Sequence, residues 1–322
     1  MKKLFAIVVC AMLLLALASC DAAEPKQYTI GIIQFAPHPS LDNCYTGFVE
    51  GLADAGFVDG ENIKLRFENA MGEPATADTI AKNLTASRVD MICAIATPAA
   101  MSAYSATRQN NTPVIFSAVS DPVAAGLAAS LEAPGAQATG TSDRLNFDAQ
   151  LALIRAFLPD ATTIGVLYTT SEPNSIAHLA EFTEAAPLYG FTVEAVGVTD
   201  AASVGAGAQA LVAKGVDCVN NFTDNNVVNQ LSQLLKAAND AGIPVFGSEE
   251  EQVVNGCLAS ESIDYVALGR TTGEIAATIL RGEKPAETPV KVIMDTTPVY
   301  NSKVAETLGI TVPNLSMTDL AN

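Results

Sequence analysis

The sequence contains no tryptophan and only two histidines, His38 and His178. So few imidazoles argue against a His-rich metal centre and against the commonest general base. Six cysteines are present, yet none forms a CxxC pair or has zinc-ligand spacing. Gly-x-Ser-x-Gly, a Walker A loop, His-Glu-x-x-His and a complete Gly-x-Gly-x-x-Gly turn are all missing, and Gly205-Ala206-Gly207 lacks its third glycine. The expectation is therefore a protein that is no enzyme, with no metal and no cofactor. Basic charge is also scarce: 17 Lys and Arg face 35 Asp and Glu, for a net charge of −18. Such a body repels phosphate backbones, which excludes nucleic acid as a partner.

What is present is apolar. Residues of that kind make up 49 % of the 322, and charged ones 16 %. That composition is globular, and the length suffices for two cores. Met1-Lys2-Lys3 precedes an apolar run from Leu4 to Leu17, which is too short for a membrane span and suited to a signal peptide over residues 1–19. The run closes on Leu17-Ala18-Ser19-Cys20, a lipobox-like ending that makes Cys20 the expected lipidation site and 20–27 a tether. An ordinary secretory leader with a chance cysteine is the competing reading. Cys93 and Cys218 sit in apolar strand-like runs, where a buried thiol is the expected state.

The chain repeats itself. Thr29-Ile30-Gly31 and Thr163-Ile164-Gly165 open two apolar runs, and Gly56-Phe57 and Gly190-Phe191 close the helices that follow, both with an offset of 134 residues. Between them, Leu41, Tyr45, Phe48 and Leu52, then Ile176, Leu179, Phe182 and Ala186, keep helical spacing. Val89-Asp90 matches Val216-Asp217, Thr97-Pro98 matches Thr223-Asp224, and Pro113-Val114 matches Pro244-Val245. Each half thus reads as strands alternating with helices, which predicts an α/β fold: two similar Rossmann-like lobes with parallel sheets. Ligands bind beyond the carboxyl ends of such strands, so the cleft between the lobes is the expected site. The expected division is lobe 1 over 28–141 plus about 264–290, and lobe 2 over 142–263 plus about 291–322. Hinges are expected near 141 and 260.

The segments Ile30–Phe35 with His38-Pro39, Leu52–Asn62, Ile95–Ala100, Ser120-Asp121-Pro122, Ser171–Ser175, Thr223–Asn225 and Ile243–Phe246 carry a family resemblance. Over roughly 28–315 the chain resembles the ABC-transporter substrate-binding lipoproteins related to the tryptophan- and tyrosine-binding component. The resemblance implies a type I periplasmic-binding fold on the outer side of the cell membrane, with ABC permease and ATPase subunits as partners of a monomer. It also implies Trp, Tyr or Phe as the ligand. The same fold binding a branched-chain amino acid, nucleobase or sugar, or serving as a ligand-sensing module, stays open.

Strand ends supply the candidate ligand residues. In the first half these are Gln34, Phe35 and Thr97, the last at a helix start whose free N–H groups suit a carboxylate. At the join they are Thr141 and Ser142, beside Asp143. In the second half they are Asn174 and Ser175 after Glu172, then Asp224 and Asn225 after Thr223, and then Ser248 and Glu249. An ammonium group needs a carboxylate, with Asp224 ranked ahead of Glu249. Helix capping is the competing role for Thr97 and Asp224, and turn chemistry for Thr141 and Ser142. Phe35, Phe116, Tyr168, Phe222 and Phe246 gather at strand ends, suited to a flat guest or to ordinary core packing.

Overall fold

The computed structural model describes residues 27–321. The signal segment, Cys20 and all of the tether but Gln27 lie outside that range. Among the described residues no helix is long and apolar enough to cross a membrane, and no cluster of His, Cys, Asp and Glu could hold a metal.

The first half runs β1 (Tyr28–Gln34), α1 (Pro39–Asp54), β2 (Ile63–Asn69), α2 (Pro74–Ala86), β3 (Met91–Ile95), α3 (Thr97–Thr107), β4 (Val114–Ser117) and β5 (Ala138–Ser142). The second runs α4 (Phe147–Phe157), β6 (Thr163–Thr169), α5 (Pro173–Ala185), β7 (Thr192–Val198), α6 (Val204–Val212), β8 (Cys218–Asn220), α7 (Asn225–Asn229), α8 (Leu231–Asp240), β9 (Val245–Phe246), α9 (Glu250–Val254) and β10 (Ala259–Ser262). The tail adds α10 (Tyr265–Leu280), β11 (Lys291–Val292), β12 (Thr297–Tyr300), α11 (Ser302–Leu308) and β13 (Thr318–Asp319).

Two parallel sheets result, β11-β5-β4-β3-β1-β2 and β7-β6-β8-β9. Read from β2 and from β7, both run second-first-third-fourth in chain order, so the repeat seen in sequence is a repeat of topology. A small sheet, β10-β12-β13, flanks the second lobe. Central strands bury both faces, as Ile30, Ile32 and Ile33 show; parallel strands covered by helices on both sides must be apolar throughout. The paired aspartates have one job: Asp90 accepts the N–H of Thr29 at 2.9 Å, and Asp217 accepts those of Thr162 and Thr163 at 2.7 and 2.9 Å. Gly56 and Gly190 adopt φ of +86° and +76° just past their helices, the left-handed stop their positions predicted.

The chain crosses between lobes three times, after β5, after β10 and after β11. Lys291 and Val292 pair with Thr141 and Ser142 of β5. α10 returns to the first lobe and packs on α1 along a seam of glycines. A Cβ at Gly47 or Gly51 would collide with the carbonyl oxygens of Val266 or Arg270, and one at Gly269 or Gly273 with those of Cys44 or Phe48. Cys44, Cys93, Cys218 and Cys257 are all buried free thiols.

Candidate functional site

The carboxyl ends of both sheets face one another across a narrow cavity. The space between its wall atoms is ≈ 290 Å³. The first lobe contributes His38, Ser40 and Leu41 at the start of α1, Ala96 and Thr97 after β3, Ala118 and Ser120 after β4, and Tyr265 from α10. The second contributes Asn174, Thr223, Asn225 and Glu249, each just past a strand, and Asp143 lies at the first crossing.

Backbone geometry opens this slot. Ala96 and Ala118 hold φ of +79° and +53°, conformations that L-residues avoid. Each costs on the order of 1–3 kcal/mol, and such strain gathers where function over-determines the backbone. The bend at Ala96 turns the chain directly into α3, whose first-turn N–H groups have no intrahelical acceptor.

The electrostatics are lopsided. No Lys or Arg lines the cavity, whereas Glu249 and Asp143 do. Burial pushes the Glu249 carboxyl up to about 7 and raises that of Asp143 against the hydrogen bonds from Tyr265 and Ser120. Tyr265 donates its hydroxyl to Asp143 at 2.9 Å, and Ser120 does so at 3.0 Å. Burial lowers His38 to about 4, so its imidazole is neutral near pH 7. Four wall atoms are buried without a partner: His38 Nδ1, Asn174 Oδ1, Thr223 Oγ1 and Glu249 Oε1. An unmet buried polar atom costs about 1–3 kcal/mol, so four on one cavity mark a place where a polar guest completes the hydrogen bonding.

Of the residues chosen from sequence, Thr97, Asn174, Asn225 and Glu249 meet at this cavity. Phe35 lines a neighbouring groove at the mouth of the cleft, with Pro98, Met101 and Pro173. Others are used up in structure. Gln34 donates to the Ala36 carbonyl and to Asp42. Thr141 bonds Thr272, Ser142 donates to the Ser120 carbonyl, and Ser248 donates to the Asn221 carbonyl. Ser175 is buried beside the Asn174 amide. Asp224 caps α7 through the Val227 N–H and also takes the Thr169 N–H and hydroxyl, whereas Glu249 lines the cavity. Phe116, Phe222 and Phe246 belong to the cores rather than the slot. Sequence reasoning passed over His38, Ser40, Ala96, Ala118 and Tyr265. None of them was singled out as a ligand residue, because helix packing and positive φ bring them to the wall.

Comparison with known proteins bears on this geometry. The profile of the family described as ABC transporter substrate binding protein matches residues 29–319. A tyrosine-binding protein of Clostridioides difficile is 39 % identical over 285 residues, which is 88 % of this chain and 82 % of that one. The ABC domain from Streptococcus pneumoniae in complex with L-Trp superposes with a TM-score of 0.88 at 36 % identity, covering 91 % of this chain and all of that one. A ligand-free, open substrate binding protein with adhesive properties from Clostridium difficile superposes at 0.70 with 40 % identity, covering 92 % and 99 %.

Proposed function

The chain belongs to the ABC transporter substrate binding protein family, and from that premise we propose that it captures an aromatic L-amino acid between its lobes for an ABC importer. The observation that carries the reading is the set of four unpartnered polar atoms on one slot shared by both lobes. Three of them are oxygens, and two carboxylates stand near, so the slot calls for a donor-rich cation such as an α-ammonium group. The guest's carboxylate is assigned to the first turn of α3 and the hydroxyl of Thr97, because no Lys or Arg is there to take it.

Conformation supports loading by closure. This chain superposes better on the L-Trp complex than on the open relative, although the open one is more similar in sequence. Glu251 of the second lobe also accepts hydrogen bonds from Ser40 and Asn43 of the first. A ligand that bridges both lobes favours the shut state by its differential affinity, and that is the form an importer distinguishes from the empty one.

Thermal unfolding in the presence of each amino acid tests the ligand. At 100 times its Kd the true ligand adds about 2.7 kcal/mol of stability. A shift with Trp, Tyr or Phe and not with Leu or Asp is expected; no shift with any aromatic amino acid removes the proposed class. The lipobox places the protein outside the cytoplasm on a lipid carried by Cys20, with permease and ATPase subunits as partners. Cys20→Ser is then expected to shed the protein into the soluble fraction, and continued membrane attachment would refute a lipid on Cys20.

A further inference from the structure

Glu172 is a buried carboxylate that the slot itself does not display. It precedes α5, with Asn174 two residues on and Asn225 at the start of α7 beside it. Its Oε2 accepts from the Asn225 side-chain amide at 2.7 Å, from the Asn225 backbone N–H at 3.2 Å and from the Asn174 side-chain amide at 3.2 Å. Its Oε1 accepts from the Asn226 side-chain amide at 3.2 Å. Four donors thus meet one carboxylate, which can accept about four. Burial and then the neighbouring Asp224 carboxylate raise the Glu172 pKa, while the donors from Asn225 and Asn174 pull it back.

An asparagine amide has two faces, a donating nitrogen and an accepting oxygen. With the nitrogens of Asn174 and Asn225 held by Glu172, their oxygens must point elsewhere. The Asn174 oxygen is one of the unpartnered atoms of the slot, and Asn225 lines the same slot. A flip of either amide would set an oxygen against the Glu172 carboxylate.

We propose that Glu172 is the positioning residue of this site: it locks the amides of Asn174 and Asn225 so that the slot presents acceptors and selects ligands bearing an ammonium group. It never touches the ligand and acts through the two asparagines. The inference rests on the amino-acid reading given above and names what in the protein enforces it.

The test compares L-tyrosine with 3-(4-hydroxyphenyl)propanoate, which lacks only the amino group, by calorimetric titration of wild type and Glu172→Gln. A glutamine keeps the shape but turns one acceptor into a donor, so one asparagine must flip. The variant is expected to lose about tenfold or more in affinity for L-tyrosine, the size of one charge-assisted hydrogen bond. Affinity for the propanoate is expected to stay within about threefold, a difference under one hydrogen bond. Equal losses for both compounds, or no loss for either, would overturn the assignment. A second readout needs no ligand. In ¹⁵N-edited NMR spectra the side-chain amide protons of Asn174 and Asn225 are expected to exchange slowly in wild type and fast in Glu172→Gln. Unchanged exchange also refutes the role. If wild type binds neither compound, the ligand class is wrong, and the amide signals still decide what Glu172 does.

Discussion

Glu249 shows what a single residue contributes here. It is buried, one oxygen has no partner, and its carboxyl is pushed up to about 7 by burial. The unfolded value is about 4.5. Below that, both states hold the proton and Glu249 gives no pH dependence. Between about 4.5 and 7 the unfolded chain has lost its proton while the native one keeps it. The native state then binds more protons, so ligand-free stability falls as pH rises through this window. A guest ammonium has the opposite preference, because it favours the ionised carboxylate. Amino-acid affinity is therefore expected to rise between pH 5 and 7.5, and loading near pH 6 should release protons. Glu249→Gln should weaken binding by about tenfold or more and flatten both profiles. Denaturant midpoints and calorimetry in buffers of different ionisation enthalpy check this, and an unchanged pH profile in the variant would clear Glu249. Sequence could rank Asp224 above Glu249 only because both follow strands. The difference between them is a hydrogen-bond census, Asp224 being spent on Thr169 and Val227.

Among elements, the pair α1 and α10 connects packing to the site. Ser40 and Leu41 come from the start of α1 and Tyr265 from the start of α10, so the wall of the slot is only as firm as that helix pair. The glycine seam sets their distance. Gly47→Ala would drive a methyl group into the Val266 carbonyl, a contact with backbone that no side-chain rotation relieves. Overpacking of this sort costs about 1–3 kcal/mol. Chemical denaturation is expected to show that loss together with weaker ligand binding, since Tyr265 and Asp143 shift with the helices. Full stability and affinity would mean that the seam is looser than drawn. The strand starts at Thr29 and Thr163, the helical spacing of Leu41–Leu52 and Ile176–Ala186 and the stops at Gly56 and Gly190 were legible, because each depends on local chemistry that recurs at a fixed offset. The seam was not. Gly47, Gly51, Gly269 and Gly273 read as ordinary helical glycines until α10 returns from the second lobe to meet them.

At the scale of the whole molecule the lobes and their facing rims followed from the repeat, but the degree of closure had no local signature. Ser40 and Asn43 lie 208 residues or more from Glu251 in the chain, and no periodicity links them. Their hydrogen bonds act on the open–shut equilibrium. Burial, then the charge of Glu249, raises the Glu251 carboxyl, and the hydrogen bond from Ser40 works against that rise. A clasp of this kind makes part of the empty population competent to hold a guest, and apparent affinity scales with that fraction. Glu251→Ala removes both bonds while leaving the slot walls intact. Two hydrogen bonds at about 0.5–1.5 kcal/mol each correspond to roughly a fivefold to hundredfold drop in the shut population. The ligand-free variant is expected to show a larger radius of gyration by small-angle X-ray scattering. Its loaded form should match wild type, and its affinity should fall through faster release. Identical scattering and affinity in the two ligand-free proteins would show that Ser40, Asn43 and Glu251 merely touch, and that the ligand alone holds the lobes together.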